Sequence, residues 1–304
     1  MAVRSLTTKE FTVFKDFHLT FSDGINILIG PNGTGKTHIL KMIYASQFAR
    51  KNVKELSKIL NCFGVESGFH NVAAKIHTGE KIDNLSQSVI SITLSESFDK
   101  QEYVPRNWNI GIDEEGEYRP IFISDKEIFN HAKLDKQDIK GYFATDEMLL
   151  DAVGLITAPK LDETSLSIEM LTILRKIARL LDGQVIYKKN RFFIEKTDGK
   201  TINFDMEAAS VKKIALLYRL IEVGAIKPGS ILLWDGIDNH LDKARIGSVC
   251  DILNSLAAVG VQVVITTVHN EILGHFEGAT VKQPVFTKLY KENNIVRCNQ
   301  YKRG

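Results

Sequence analysis

The spacing of apolar residues changes several times along the chain, and each change marks an element. Residues 11–28 alternate apolar and polar positions across the turn Ser22-Asp23-Gly24, and Ile25-Asn26-Ile27-Leu28-Ile29 then reads as a short buried strand. A glycine-rich loop follows, and from 37 to 50 Ile39, Leu40, Ile43 and Phe48 recur at near-helical spacing, so the loop joins a strand to a helix. The pattern weakens over 51–104, where only a helix-like 53–63 and a strand-like 88–94 stand out. A strand at 119–123 leads into two largely helical stretches, 126–133 and 135–181. The second carries Met170, Ile173, Leu174, Ile177 and Leu181 on one face, with Leu166 just before them and Gly183 as a stop.

Residues 184–204 form three short alternating runs parted by Lys189-Asn190 and Asp198-Gly199, which predicts a meander. An amphipathic helix at 207–223 is closed by Gly224, and residues 230–234 are a continuous apolar strand that ends in Asp235. A helix at 243–258, a strand at 261–267, a short helix after His269 and a hairpin around Asn293-Asn294 follow. Parallel core strands joined by helices predict an α/β fold, one domain over 1–304 with a helical lobe inserted at 125–182.

Composition narrows the functional classes only a little. With 44% hydrophobic and 25% charged residues in 304, the chain is neither disordered nor of low complexity. Its 39 basic against 37 acidic residues leave a net charge of +2, which lends a nucleic-acid partner no support. Cys62, Cys250 and Cys298 are odd in number and far apart, arguing against a disulfide framework or a zinc site and for a reducing, cytoplasmic setting. The longest apolar run, 259–268, is too short and too polar to span a membrane, and the first residues lack the apolar run of a signal peptide.

The sharpest chemistry lies at Gly30-Pro31-Asn32-Gly33-Thr34-Gly35-Lys36-Thr37, which satisfies GxxxxGK[ST] at every fixed position between a strand and a helix. Glycines let successive N–H groups turn toward phosphates, and the helix N-terminus adds about half a positive charge. Lys36 would reach the β and γ phosphates, Thr37 would offer its hydroxyl to Mg²⁺, and His38 is a neighbouring candidate contact for ATP. A metal so held needs a second acidic group at the end of a buried strand, and Asp235 supplies one. On that segment alone, turn residue and metal ligand are equally good readings.

The segment Asp235-Gly236-Ile237-Asp238-Asn239-His240-Leu241-Asp242 resembles the DEPTNHLD stretch of ABC-type ATPases, whose last four residues form a loop at a dimer interface. Residues 263–269 (VVITTVH) are similar to the strand and switch histidine of that superfamily, and residues 11–29 to the opening strands of ABC and SMC-type heads. Phe14 would then lie near the adenine, although core packing is the favoured reading for it. Residues 121–127, 208–213 and 216–235 resemble bacterial ABC/SMC-like AAA ATPases of mobile anti-phage defence loci, among them the OLD, Septu, PARIS and AbiL types.

The resemblance implies a P-loop NTPase of ABC-ATPase head type, a mixed sheet core with an inserted helical lobe, binding ATP and Mg²⁺. It implies a homodimer or higher oligomer with Ser210 and Asp242 facing the second copy and His269 sensing the γ phosphate. A separate nuclease or toxin would be the partner, as in toxin–antitoxin and other antiviral systems. The chain departs from the pattern at Gly236, where relatives carry a glutamate that orients water; Asp238, with His269, would have to substitute. Weak ATP hydrolysis, a hydrolysis-deficient scaffold and a DNA-repair SMC-like ATPase are therefore the three expectations. The signature segment has become Glu207-Ala208-Ala209-Ser210, Lys212 and Lys213 read by default as a solvated face, and a glutamine-loop residue is either Gln87 by type or Glu127 by position. The lobe is too short for coiled-coil arms.

Overall fold

Four apolar runs of the sequence and the first strand of its C-terminal hairpin lie side by side. They are β3 (Ile25–Ile29), β7 (Pro120–Ile123), β11 (Ile231–Trp234), β12 (Gln262–Thr267) and β13 (Val285–Glu292), all parallel, with β14 (Ile295–Lys302) returning antiparallel. The order is β14-β13-β3-β12-β11-β7. The computed structural model describes residues 2–50, 55–64, 69–82, 85–96, 104–113, 117–129, 146–277 and 283–302.

This sheet is buried on both faces, which is why its central strands read as continuous apolar runs rather than alternating ones. Successive residues nonetheless serve different cores. Ile27, Ile123, Trp234 and Ile265 face one side, whereas Leu28, Phe122, Leu233 and Val264 face the other. The first side is covered by α3 (Glu147–Ile156), α4 (Ile168–Leu181), α5 (Ala209–Glu222) and α6 (Lys243–Ala258), together with the predicted meander of β8 (Gly183–Lys188), β9 (Arg191–Lys196) and β10 (Thr201–Asn203). The second side receives α1 (Lys36–Ala45), α2 (Leu56–Asn61) and a five-stranded antiparallel sheet.

That second sheet consists of β1 (Val3–Phe11), β2 (Phe14–Thr20), β4 (Phe69–Ile82), β5 (Leu85–Glu96) and β6 (Val104–Asp113), in the order β2-β1-β6-β5-β4. Within the weakly patterned stretch 51–104, the helix-like 53–63 contains α2 and the strand-like 88–94 lies inside β5, while β4 went unread. Ile90, Ile92 and Leu94 of β5 alternate inward against Trp108, Ile110 and Ile112 of β6, whereas β4 has few large apolar residues and gave little signal. Two further boundaries shift. The left-handed residue that ends α4 is Asp182, φ 49°, and Gly183 opens β8, where a Cβ would come within 2.2 Å of the Glu195 carbonyl oxygen. Residues 124–128 form no helix, while 130–133 and 135–145 of the predicted helical stretches lie outside the described residues.

The two sheets are tied by a buried side chain at the foot of β12, besides the Gln300 side chain of β14, which bonds the Thr20 backbone of β2. Gln262, 2% exposed, accepts from the Val3 N–H (2.8 Å) and donates to the carbonyls of Val3 (2.8 Å) and Ser22 (2.7 Å). Among the described residues no helix is long and apolar enough to cross a membrane.

Candidate functional site

The loop between β3 and α1 bends only because of its glycines. Gly33 and Gly35 take φ of 77° and 83°, and a Cβ on Gly35 would fall 2.4 Å from the Phe14 ring. Phe14 is itself 1% exposed and stacked at a tilt on Phe17, 4.4 Å between centroids, so it is core that shapes the loop from below. The Thr34 hydroxyl donates to the Pro31 carbonyl (2.8 Å), closing the turn. Lys36 curls over it, its ammonium donating to the carbonyls of Gly30 (2.6 Å) and Pro31 (2.9 Å). Burial lowers the Lys36 pKa, and the carboxylates of Asp235 and Asp238 pull it back up.

From the adjoining strand ends come the acidic groups. One oxygen of Asp235 accepts from the Thr37 hydroxyl (2.8 Å) and the other from the Thr266 hydroxyl (2.7 Å), while Thr266 in turn accepts from the Gly236 N–H (2.7 Å). Gly236 stands at φ 61°, and the left-handed turn it begins, closed by the Asn239 N–H to its carbonyl (3.0 Å), carries Asp238 into the same cleft. One Asp238 oxygen lies 3.5 Å from Nε2 of His269; the other is buried with no hydrogen-bond partner. The cleft measures about 480 Å³.

Of the residues singled out in the sequence, Asn32, Gly33, Gly35, Lys36, Thr37, His38, Asp235 and Asp238 line this one cleft, with Gly30, Pro31 and Thr34 in the loop that frames it. Burial pushes the His38 pKa down, Lys41 adds to the effect, and Asp235 opposes it. His269 stands at the rim, 65% of its side chain exposed. Ser210 and Asp242 are brought together elsewhere. Arg245 donates to the Ser210 hydroxyl at the start of α5, while Asp242 caps α6 by accepting from the Arg245 N–H (2.8 Å).

Sequence reasoning missed Asp125 and Thr266, which also line the cleft, and Arg245. Asp125 follows β7 by two residues on the strand beside Asp235, a position that the choice of Glu127 overlooked; Gln87 lies on β5 of the antiparallel sheet. Lys213 is buried, not solvated as expected.

Hard oxygen donors dominate the cleft: Thr37, Asp235, Thr266 and the unpartnered oxygen of Asp238. That chemistry suits Mg²⁺. Among the described residues there is no group of three or more histidine, cysteine or acidic side chains that could hold a metal ion. A second cleft of about 360 Å³ opens beside the loop, between the β1–β2 and β13–β14 turns, and is lined by Lys15, Arg106 and Lys291 among others.

A model of the AAA domain family matches residues 5–203. The DNA replication and repair protein RecF of Exiguobacterium sp. is 31% identical over 90 residues, 29% of this chain and 24% of that protein. The RecF of Lacticaseibacillus casei is 33% identical over 105 residues, 30% of this chain and 28% of that protein. The chain thus matches about a quarter of the length of these curated relatives. Among solved structures, an SMC head bound to the C-winged helix domain of ScpA superposes with a TM-score of 0.58 at 16% identity, covering 99% of this chain and 98% of that one. The SMC head domain from Thermotoga maritima gives 0.51 at 14% identity, with 99% of each chain covered. The fold is that of an SMC head, in agreement with the α/β P-loop head expected from the sequence.

Proposed function

The chain belongs to the AAA domain family, and from that premise we propose that it binds ATP with Mg²⁺ in the cleft at residues 30–37 and turns it over slowly. Residues 1–304 act as one nucleotide-binding domain with 125–182 inserted. The observation that carries the reading is the bonded series Thr37–Asp235–Thr266–Gly236 closing one wall of a cleft whose opposite wall is the glycine loop and Lys36.

Each residue has a part that follows from its place. Lys36 exchanges the carbonyls of Gly30 and Pro31 for phosphate oxygens, and the loop amides with the N-terminus of α1 stabilise the remaining charge. Thr37, its proton donated to Asp235, keeps lone pairs for a cation, and Asp235 is held in register by Thr266. Bound ATP supplies the transferable phosphoryl group, and Mg²⁺ shields its oxygens. Asp238, with one oxygen unpartnered and the other toward His269, holds a water where relatives would use a glutamate at 236. A water-positioning group contributes roughly 100-fold to 10,000-fold, so a displaced carboxylate favours a slow timer over a fast motor.

Nucleotide occupancy then governs association with a second copy across the surface that carries Ser210, Arg245 and Asp242, and with a separate nuclease or toxin in anti-phage defence within the cytoplasm. The resemblance of 208–213 and 216–235 to ATPases of defence loci supports that role, and the SMC head bound to a ScpA domain is a precedent for a protein partner on this fold. Isothermal titration with ATP and Mg²⁺ tests the core of the reading: wild type gives a binding heat that Lys36→Ala loses, and equal heats in both refute it. A second reading, an ATPase acting on DNA, is favoured by the RecF relatives. Gel retardation of DNA that weakens with added salt selects it over the defence role.

A further inference from the structure

Lys213 lies one turn into α5 and is 6% exposed, yet its ammonium donates to the carbonyl of Ser124, the first residue past β7. Burial pushes its pKa down to about 8, and Asp125, Asp235 and Glu127 resist the fall. An apolar side chain would fill the same space beside Leu216 and Phe129 without the cost of taking a cation out of water, so volume alone does not account for a lysine.

The ammonium holds a loop that has no helix of its own. In it the Lys126 N–H donates to the Ser124 hydroxyl (3.1 Å), and the Phe129 N–H to a Glu127 carboxylate oxygen (2.7 Å). The loop thus runs between two hollows. Asp125, one of whose carboxylate oxygens accepts from the Ser124 hydroxyl (3.3 Å), lines the nucleotide cleft and also borders a separate cavity of about 190 Å³ lined by Glu127, Phe129 and Lys213. The loop starts level with the metal-side carboxylate, because the Asp235 N–H donates to the Ile123 carbonyl (2.9 Å). Lys213 therefore sits within ionic reach of the carboxylates at both strand ends, and the first turn of its own helix is tied through Ser210 to Arg245.

We propose that Lys213 is a positioning residue of the nucleotide cleft, pinning the Ser124 carbonyl so that Asp125 presents its carboxylate to the cation that accompanies the triphosphate. This rests on reading the 30–37 cleft as a magnesium–nucleotide site. Lys213 touches neither nucleotide nor metal; it acts through the loop, and Asp125, exposed on its cleft side, is the group that meets the cation's water shell.

Calorimetric titration of a non-hydrolysable ATP analogue into the full chain, repeated over a series of Mg²⁺ concentrations, tests it. Asp125→Asn and Lys213→Met are each expected to raise the half-saturating Mg²⁺ concentration about tenfold, the double variant no further, and Lys213→Arg to recover most of the loss. Affinity for the analogue without Mg²⁺ stays unchanged, which a merely structural role would not spare. An unchanged Mg²⁺ requirement in either single variant, or a hundredfold loss in the double, overturns the proposal. Circular dichroism is run alongside, and Lys213→Gln takes the place of Lys213→Met in the cycle if the latter is unfolded. Wild type that binds no analogue at all sinks the nucleotide reading itself; wild type that binds, with additive variants, sinks only the role of Lys213.

Discussion

Gly236 stands where the DEPTNHLD segment that it resembles has a glutamate, and its backbone disfavours any side chain there. At φ 61° any side chain is strained by about 1–3 kcal/mol, and a Cβ there would lie 2.3 Å from Nδ2 of the Asn239 side chain, which would have to move aside. Gly236→Glu is expected to destabilise the protein by that amount in thermal unfolding without raising steady-state phosphate release. A faster enzyme of unchanged stability would refute this account of the turn. At this scale the sequence was legible where spacing is rigid: the 30–37 motif specifies its chemistry residue by residue, and Asp235 follows from a strand end. Asp125 and Lys213 were not legible, because what defines them is a neighbour distant in the chain. Lys212 and Lys213 look alike in sequence, and only the rotation of α5 decides that Lys213 points inward.

Among elements, the joint between α3 and α5 combines apolar packing and the Leu161 N–H bond to the Glu222 carbonyl (2.9 Å) with one buried guanidinium. Arg219 of α5, 4% exposed, donates to the carbonyls of Ile156 (2.8 Å) and Ala158 (2.5 Å) where α3 ends, and to Glu222 (2.5 Å). It thereby satisfies acceptors that a helix C-terminus leaves open. Arg219→Met removes three partners at once and should cost about 3–5 kcal/mol, measured by calorimetric unfolding; a loss below about 1 kcal/mol would mean that water replaces the guanidinium. On the other side of α3, the Tyr44 hydroxyl of α1 donates to Asp151, and burial, reinforced by that carboxylate, raises the Tyr44 pKa well above its ordinary value. The phosphate-loop helix is thus bonded directly to the 125–182 segment. Helices with a clear apolar face, such as α4 and α5, were readable from periodicity. β5 was readable in part as the strand-like 88–94, but its partner β4 was not, because β4 carries small and polar residues whose pairing comes from the neighbouring strand rather than from their own pattern.

At the scale of the molecule, two cores of the described residues lie on opposite faces of one mostly parallel sheet, and the antiparallel sheet belongs to only one of them. Gln262 joins the sheets with three hydrogen bonds from a fully buried amide. Gln262→Leu leaves the Val3 N–H and the Val3 and Ser22 carbonyls without that partner, and the expected loss is about 2–4 kcal/mol by denaturant unfolding. Near-wild-type stability would show the tie to be dispensable. The α/β class was visible from the alternation of apolar strands and helices, but the tie was not, since a glutamine opening a greasy strand reads as a simple boundary. Its location has a mechanical meaning. The amide sits at the N-terminal end of β12, and the phosphates would gather at the opposite end, past Thr267. A second stitch lies higher on the strands, level with Leu28, where the Gln300 side chain of β14 donates to the Thr20 carbonyl (2.9 Å) and accepts from the Thr20 N–H (3.1 Å), so a guest arriving at the rim meets a frame braced along its height rather than one held only at its foot.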